Sequence, residues 1–414
     1  MYTNCANLSL IPGFTNIING DVDNELSILK VSNVECRIST ALGSYKVIRY
    51  DKNMLTSDLI PTYGLCRSVI VNIKNNVVCF APPKSIPSDI FIRKYPTKTE
   101  DIIAQEFVEG TMINVFWDYN IGLTGGWEIA TRNTVGATSK FYKSDKAKNF
   151  REMFLEAAKA SHLYLEQLNP SYSYSFVLQH PDNRIVVPFK TPKLYLVGVY
   201  NILNESDKVI VYSVNMEEIK SFDWRTTNIL FPQVYQWTKY SDLIETYASM
   251  NTQYDVLGVV LYNTITGERA KIRNPVYEQV RSLKGNQPKL QYQYLSLRKE
   301  GKVGDFLSFY PENKKEFSKF RDHIHLFTNT LHSNYVSCYI KKEKPLKEFS
   351  TQYKTHMFNI HQKFINELRE KKMYVNNAVV ISYVNELHPS LLMYCLNYHM
   401  RKRNVDYIAS ENVM

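Results

Sequence analysis

The sequence predicts a mixed α/β (α+β) chain, in which a β-rich part covering residues 1–285 is followed by a basic helical part covering residues 286–414. Two observations carry this reading. Before about residue 285 the apolar residues come in short β-branched and aromatic runs divided by Gly, Pro and Asn, whereas beyond it they recur every three or four positions. The charge divides at the same place. Residues 286–414 hold 20 Lys and Arg against 12 Asp and Glu, which is +8 of the chain's formal +10 and leaves +2 for the first 285 residues.

Taken in order, Val69-Ile70-Val71 and Val77-Val78-Cys79-Phe80, separated by Lys74-Asn75-Asn76, predict a hairpin with an Asn-rich turn. Pro82, Pro83 and Pro87 end it, because proline donates no ladder hydrogen bond. Met112–Trp117 and Trp127–Thr131 predict a second hairpin, broken by Gly122, Gly125 and Gly126. Phe150–Leu168 reads as one amphipathic helix with Phe150, Phe154, Leu155, Ala158, Leu163 and Leu165 as core, stopped by Asn169-Pro170. Strands follow at Tyr174–Gln179, Leu194–Tyr200, Val209–Val214, Val256–Tyr262 and Ala270–Ile272. In the basic part, Leu346, Phe349, Tyr353, Met357, Ile360, Phe364 and Leu368 form one stripe of a helix more than twenty residues long. Phe306, Phe317, Phe320, Ile324, Phe327 and Leu331 mark a helix before it, and Leu391–Leu396 one after.

The composition excludes several classes. With 44% hydrophobic and 22% charged residues the 414-residue chain is ordinary globular material for two or three domains. No window has the apolar length of a membrane span, and Met1-Tyr2-Thr3-Asn4-Cys5 lacks the basic start of a secretion signal, so the expectation is an intracellular protein with no membrane partner. Six widely spaced cysteines without a C-x-x-C pair point to idle or buried thiols. His323 with His325, and His356 with His361, have spacings that do not suit a metal on one helix, so no metal site is expected. A basic part after a nearly neutral one fits a phosphate-bearing partner, with solvated surface lysine as the plain alternative.

The most specific signal lies in segments taken together. Gln105-Glu106-Phe107-Val108-Glu109-Gly110-Thr111 stands where RNA ligases of the covalent nucleotidyltransferase type carry Lys-x-Asp-Gly-Ser. Cys66-Arg67-Ser68 resembles the Cys-Arg-Gly segment that precedes it in phage RNA ligases of tRNA repair. Phe176-Val177-Leu178-Gln179-His180-Pro181-Asp182-Asn183-Arg184-Ile185-Val186 is similar to their Phe-Glu-Phe-x-x-Pro-x-Asn-Arg-Ile-Val. Val256-Leu257-Gly258-Val259-Val260 stands for Ile-Glu-Gly-x-Val, and Lys271-Ile272-Arg273 for Lys-x-Lys. The likeness runs over roughly residues 42–280. The same segments, and the tail with Asn385–Pro389 and Tyr394–Tyr398, also resemble RNA ligase-like proteins of large nucleocytoplasmic DNA viruses.

The resemblance implies an RNA ligase adenylation-type nucleotidyltransferase domain and a viral origin, with the host cytoplasm or the virion as its place. It also implies a lysine that attacks ATP, with carboxylates to bind ribose or place Mg²⁺. Here the lysine position is Phe107 and the carboxylate positions are Val177 and Leu257, none of which offers a lone pair for that work. The expectation is therefore a catalytically degenerate RNA ligase-like protein that binds RNA or other viral proteins in an RNA-processing or transcription assembly, and no cofactor. One alternative is an active ATP- and Mg²⁺-dependent RNA ligase whose nucleophile has moved to Lys84, Lys140 or Lys271. Another is a structural virion protein. Glu109, Gly110, Thr111, Arg67, Arg132, Arg184, Lys271 and Arg273 are the candidates for holding a nucleotide or phosphate, since guanidinium binds phosphate without catalysing anything. For Arg184 an ion pair or carbonyl clamp within the protein is the competing reading. Arg298, Lys299, Lys302, Arg401, Lys402 and Arg403 are the RNA-binding candidates, with Tyr292, Tyr294 and Phe309 as nearby rings on which bases could stack.

Overall fold

The computed structural model describes residues 2–20, 28–38, 41–141, 147–205, 208–221, 224 and 226–400, and they divide into two compact units, Met1–Arg281 and Ser282–Met414. Arg401, Lys402 and Arg403 lie outside the described residues.

The first unit is built on fourteen described strands: β1 (Tyr2–Asn7), β2 (Leu29–Ile38), β3 (Ala41–Tyr50), β4 (Val69–Val71), β5 (Val77–Phe80), β6 (Ile102–Glu106), β7 (Thr111–Asp118), β8 (Gly126–Ala130), β9 (Tyr172–Gln179), β10 (Lys193–Asn204), β11 (Val209–Val214), β12 (Val234–Tyr235), β13 (Gly258–Asn263) and β14 (Arg269–Arg273). They form three antiparallel sheets, ordered β1-β11-β10-β9-β7-β8, β12-β6-β13-β14 and β2-β3-β4-β5. Both hairpins expected from sequence are present, as β4–β5, with Asn75 at φ +61° in its turn, and as β7–β8.

Period-two alternation assigns the faces of each sheet. In the six-stranded sheet Ile113, Val115, Phe176, Leu178, Leu194 and Leu196 point one way and are covered by Met153, Phe154 and Ala157 of the helix Phe150–Ala160. Asn149 begins that helix with a capping box to Glu152. It ends eight residues earlier than its apolar pattern suggests, because Ser161 caps it and His162 turns back at φ +54°. Leu163 and Leu168 still reach the core from the loop, but Leu155, expected inside, is 45% exposed: it follows Phe154 by one residue and so faces away.

The β2–β5 sheet packs Tyr45, Val47, Ile70 and Cys79 against Phe116 and Ala130 of the six-stranded sheet. At the edge of this contact Asp118 accepts hydrogen bonds from Tyr45 Oη at 2.9 Å and from Asn72 Nδ2 at 3.0 Å, all three side chains being buried. Tyr45→Phe is expected to lower the unfolding free energy by about 1–3 kcal/mol, as for a buried hydrogen bond to a charged group. Urea unfolding followed by tryptophan fluorescence reads this directly, and an unchanged midpoint would show that the tie carries no stability.

In the β12-β6-β13-β14 sheet, Ile102, Ala104, Val259, Leu261, Ala270 and Ile272 face Phe91 of the helix Ser88–Lys94 and Leu243 of the helix Tyr240–Tyr247. The register pairs Gln105 with Val260 and Val260 with Lys271, and Ile103 with Tyr262 and Tyr262 with Arg269. The opposite face therefore carries Ile103, Gln105, Val260, Tyr262, Arg269, Lys271 and Arg273. Ile103, Gln105, Tyr262 and Arg269 line a cavity of about 710 Å³, together with Leu196–Tyr200 of β10 and Thr3–Ala6 of β1.

The second unit is helical, with Leu290–Lys299, Val303–Phe309, Lys314–Tyr335, Thr351–Lys363, Asn377–Glu386 and Pro389–Leu396 as its helices. Phe306, Phe317, Ile324, Phe327, Leu331, Met357 and Ile360 are buried, as their spacing requires. The long helix expected from Leu346 instead begins at Thr351, capped by Ser350, after a single 3-10 turn at Leu346–Glu348. Past Lys363 it widens into a π-turn over Phe364–Leu368, whose two ends are the last two residues of the apolar stripe. The helix Asn377–Glu386 shows no clear period, since Val379-Val380-Ile381 is apolar all round and Ile381 is 42% exposed.

Candidate functional site

Phe107 lies one residue past β6, at the end of the polar face of its sheet, and begins the turn that leads into β7. Two glycines allow the close approaches around it. Gly110 has φ +147°, and a Cβ there would stand 2.4 Å from Leu178 O and 2.7 Å from Val177 Cγ1. Gly258 has φ +120°, and a Cβ there would stand 2.0 Å from Ile272 O. Any side chain at either position collides with the neighbouring strand's backbone. Glu109, only 4% exposed, points its carboxylate back at the segment after β9: Oε1 accepts from Val186 N at 2.7 Å, and both oxygens accept from Val187 N at 3.2 Å. Gln179 Nε2 donates to Glu109 O at 2.9 Å, and Asn183 Nδ2 donates to Thr111 Oγ1 at 2.8 Å. Glu109, Thr111 and Asn183 thus hold the loop after β9 to the turn before β7.

Val177 and Leu257 are 7% and 8% exposed, so the two positions where the resemblance places carboxylates are buried apolar side chains. Mg²⁺ takes oxygen ligands, and the residues present at these positions do not fit it. Among the described residues no group of three or more His, Cys, Asp and Glu gathers for a metal.

Two cationic side chains stand over the Phe107 ring. The ammonium of Lys271 stands 4.2 Å from the centre of the Phe107 ring and the Arg273 guanidinium 5.3 Å from it. Burial pushes the Lys271 amine down to about 6, and the charges of Arg269, Arg67, Arg273 and Lys84 push in the same direction. The ring face favours the charged form by about 0.5–2 kcal/mol and offsets part of this. Burial, and then Arg269, likewise lower Arg67 to about 10, while Lys84 is lowered by burial and by Arg67, Arg273, Arg132 and Arg269.

Little in the protein answers these charges. Arg273 pairs with Glu278 at 2.6 Å. Arg269 Nε donates to Pro83 O at 2.9 Å, Arg67 to Pro82 O and Arg132 Nε to Arg67 O, both at 3.4 Å, so three guanidinium groups meet carbonyls and no carboxylate. The ammonium groups of Lys84 and Lys271 have no hydrogen-bond or ion-pair partner among the described residues. Ser68 Oγ and Ser85 Oγ, in the residues that follow Arg67 and Lys84, are buried without a hydrogen-bond partner.

Of the sequence-chosen residues, the fold therefore brings Lys271 and Arg273 over Phe107, sets Arg67 and Lys84 near enough to Lys271 to act on its charge, and sets Arg132 near Arg67 and Lys84. Arg269 joins them without having been singled out, although its alternation with Lys271 and Arg273 was the available signal. Arg184 Nε is turned to Val186 O at 2.8 Å, a carbonyl clamp within its own loop. Lys140 is exposed and is not among the main charges acting on Lys84 or Lys271. In the second unit Arg298 donates to Asn385 Oδ1, Lys302 pairs with Glu300 at 2.8 Å, and Lys299 is exposed. Tyr294 is 4% exposed and packs against Phe317, which removes it as a stacking face for bases; Tyr292 and Phe309 are half-buried.

Comparison with known proteins agrees with the motifs. No family model matches the chain. An RNA ligase of Rhodothermus phage RM378 is 25% identical over 291 residues, covering 62% of this chain and 64% of that protein. The immediate-early protein ICP-46 homolog of Invertebrate iridescent virus 6 is 23% identical over 322 residues, covering 69% and 67%. The chain thus spans about two thirds of the length of these relatives. Among solved structures, alanine variants of a Naegleria gruberi RNA ligase align over 60% of this chain and 76% of theirs: the apo form at TM-score 0.32 and 13% identity, and one with ATP and Mn at 0.35 and 10%. The chain is RNA ligase-like, and its sequence relatives come from a phage and an iridescent virus.

Proposed function

We propose that the unit Met1–Arg281 binds a phosphate-rich ligand, a nucleotide or a phosphorylated RNA end, in the cleft at Phe107, and that position 107 itself forms no covalent intermediate. The observation that carries this reading is the cluster of Arg67, Lys84, Arg132 and Arg269 beside the Lys271 amine, with no carboxylate to answer it. Cations gathered this way repel one another and lose solvation, so the arrangement costs stability unless an anion enters. Guanidinium groups offer a planar fork that suits phosphate oxygens. The chain then works as a viral RNA ligase-like protein in the infected cell or the virion. The basic residues of Ser282–Met414 would give RNA a second contact, and other viral proteins are further partners.

The test is equilibrium binding of ATP and of a 5′-phosphorylated single-stranded RNA to the full chain over a salt series. Binding of either should weaken as salt rises, because phosphate contacts release counterions. Arg67→Ala should weaken ATP binding about tenfold or more, the scale of one charge-assisted contact of about 1.5–3 kcal/mol. RNA without a 5′-phosphate should bind less tightly than the phosphorylated form. Absence of ATP and RNA binding at low salt would overturn the reading and favour a purely structural virion role.

A further inference from the structure

The cavity of about 710 Å³ is lined by β6, β13 and β14 from one sheet and by β1, β10 and β11 from another, and neither Phe107 nor Lys271 reaches it. Its volume is that of a small-molecule pocket, about 300–1,000 Å³. Ile103, Leu196, Val199, Val211, Val214 and Phe231 make much of the wall apolar. Of the charged side chains on that wall, Lys94 pairs with Glu268 at 2.7 Å and Lys220 with Glu217 at 2.8 Å, so these are answered within the protein. Lys84 and Arg269 are not. Arg269 Nε and Nη2 donate to Pro83 O and Pro82 O, while Nη1 has no partner among the described residues. Tyr200, on the same wall, is 6% exposed, and its hydroxyl has no hydrogen-bond partner among the described residues either. Burial holds that hydroxyl well above its ordinary value, so it remains a neutral donor, and it lies close enough to Arg269 for the two to act on each other. Arg269 acts in turn on Lys84. Three donors without acceptors thus gather in one part of a largely apolar chamber.

We propose that this cavity is a second binding site, for an alkyl-chain carboxylate whose head group takes Arg269, Lys84 and Tyr200 and whose chain lies along β10 and β11. The wall selects this class. A carboxylate has two oxygens with about four acceptor sites, enough for all three donors at once. A neutral hydrocarbon would leave the guanidinium unanswered and lose the charge-assisted bonds. A nucleoside would bring hydroxyl and amide groups against Leu196, Val199 and Val211, which offer them no hydrogen bond, and burying such groups unpaired is costly. An alkyl chain meets the same side chains favourably, at about 0.8 kcal/mol for each methylene removed from water. Gly198 of β10 gives the head group its room, since a Cβ there would stand 2.9 Å from Tyr200 Oη.

The experiment titrates the full chain with decanoate, decanol and butyrate, all kept below the concentrations at which they aggregate, and reads binding by calorimetry. Decanoate is expected to bind saturably, one per chain. Decanol should bind about tenfold or more weakly for want of the charged head, and butyrate about 100-fold or more weakly for want of chain. Tyr200→Phe, which keeps the ring and removes one donor, should weaken decanoate about fivefold. Cys5 reports the place of binding, because it lines the cavity and is exposed, whereas Cys36, Cys66 and Cys79 of the same unit are buried. Saturating decanoate should protect Cys5 from iodoacetamide, as read by peptide mass spectrometry. No binding of decanoate, equal binding of decanol, binding unchanged in a folded Tyr200→Phe, or Cys5 alkylated at the same rate with decanoate as without it would each overturn the proposal. ATP and RNA binding test the phosphate reading separately, so either site can fail alone.

Discussion

Replacing Glu109 by Ala is expected to lower the unfolding free energy of the first unit by about 3–5 kcal/mol, the range for removing one member of a buried charged hydrogen-bond set. The carboxylate accepts from Val186 N and Val187 N, and Glu109 is buried, at 4% exposed. Two backbone donors would be left without their acceptor, each costing about 1–3 kcal/mol. Glu109→Gln keeps one oxygen acceptor and should recover roughly half of the loss. Denaturant unfolding of the three proteins measures this. Equal stability of Glu109→Ala and the wild type would show that the loop after β9 is held elsewhere.

Lys271→Met is expected to act in the opposite direction and to depend on pH. The amine is lowered to about 6 in the folded protein, against about 10.4 in an unfolded chain. Below about pH 6 both states carry the proton, and the cost of holding a cation among Arg269, Arg67 and Arg273 is present in full. Between about pH 6 and 10.4 the unfolded state binds a proton that the folded state does not, so wild-type stability gains from this residue as pH rises. Methionine removes the charge at every pH. The variant should therefore exceed the wild type by about 1–3 kcal/mol at pH 6, as when an apolar side chain replaces a buried charge, and by much less at pH 9. Thermal unfolding at the two pH values tests it, and an equal difference at both would show that Lys271 carries no electrostatic burden.

Much of the architecture was legible in the chain because strands and helices leave different periods. β4–β5, β7–β8, β9, β10, β11, β13 and β14 all stand at or near their apolar runs. The strands β1, β2, β6 and β12 leave no clear period, since Tyr2–Asn7 and Leu29–Ile38 mix polar residues into both faces, Ile102–Glu106 is only five residues long and Val234–Tyr235 only two. The helix after Asn149 was overextended because Leu163 and Leu168 continue the apolar count while the backbone has already turned at His162. At the site, the motif residues gave the neighbourhood and not the orientation. Glu109 and Arg184 both occupy motif positions, and both side chains hydrogen-bond backbone groups of the loop after β9. Spacing alone does not separate a carboxylate that serves a ligand from one that serves the chain. Spacing does place Arg269 beside the two motif cations, since it alternates with Lys271 and Arg273 along β14.

The shared carboxylate of Asp118 has a consequence for how the first unit comes apart. Tyr45 and Asn72 belong to the β2–β5 sheet and Asp118 to β7, so neither sheet can separate without stranding a buried charge. Local opening at this seam is thereby tied to loss of the whole contact. Backbone amides of β3 and β7 should share one exchange-protection free energy and form a single cooperative block. The turn carrying Phe107 runs directly into β7, so the edge of the cleft is anchored to the part of the unit that opens last.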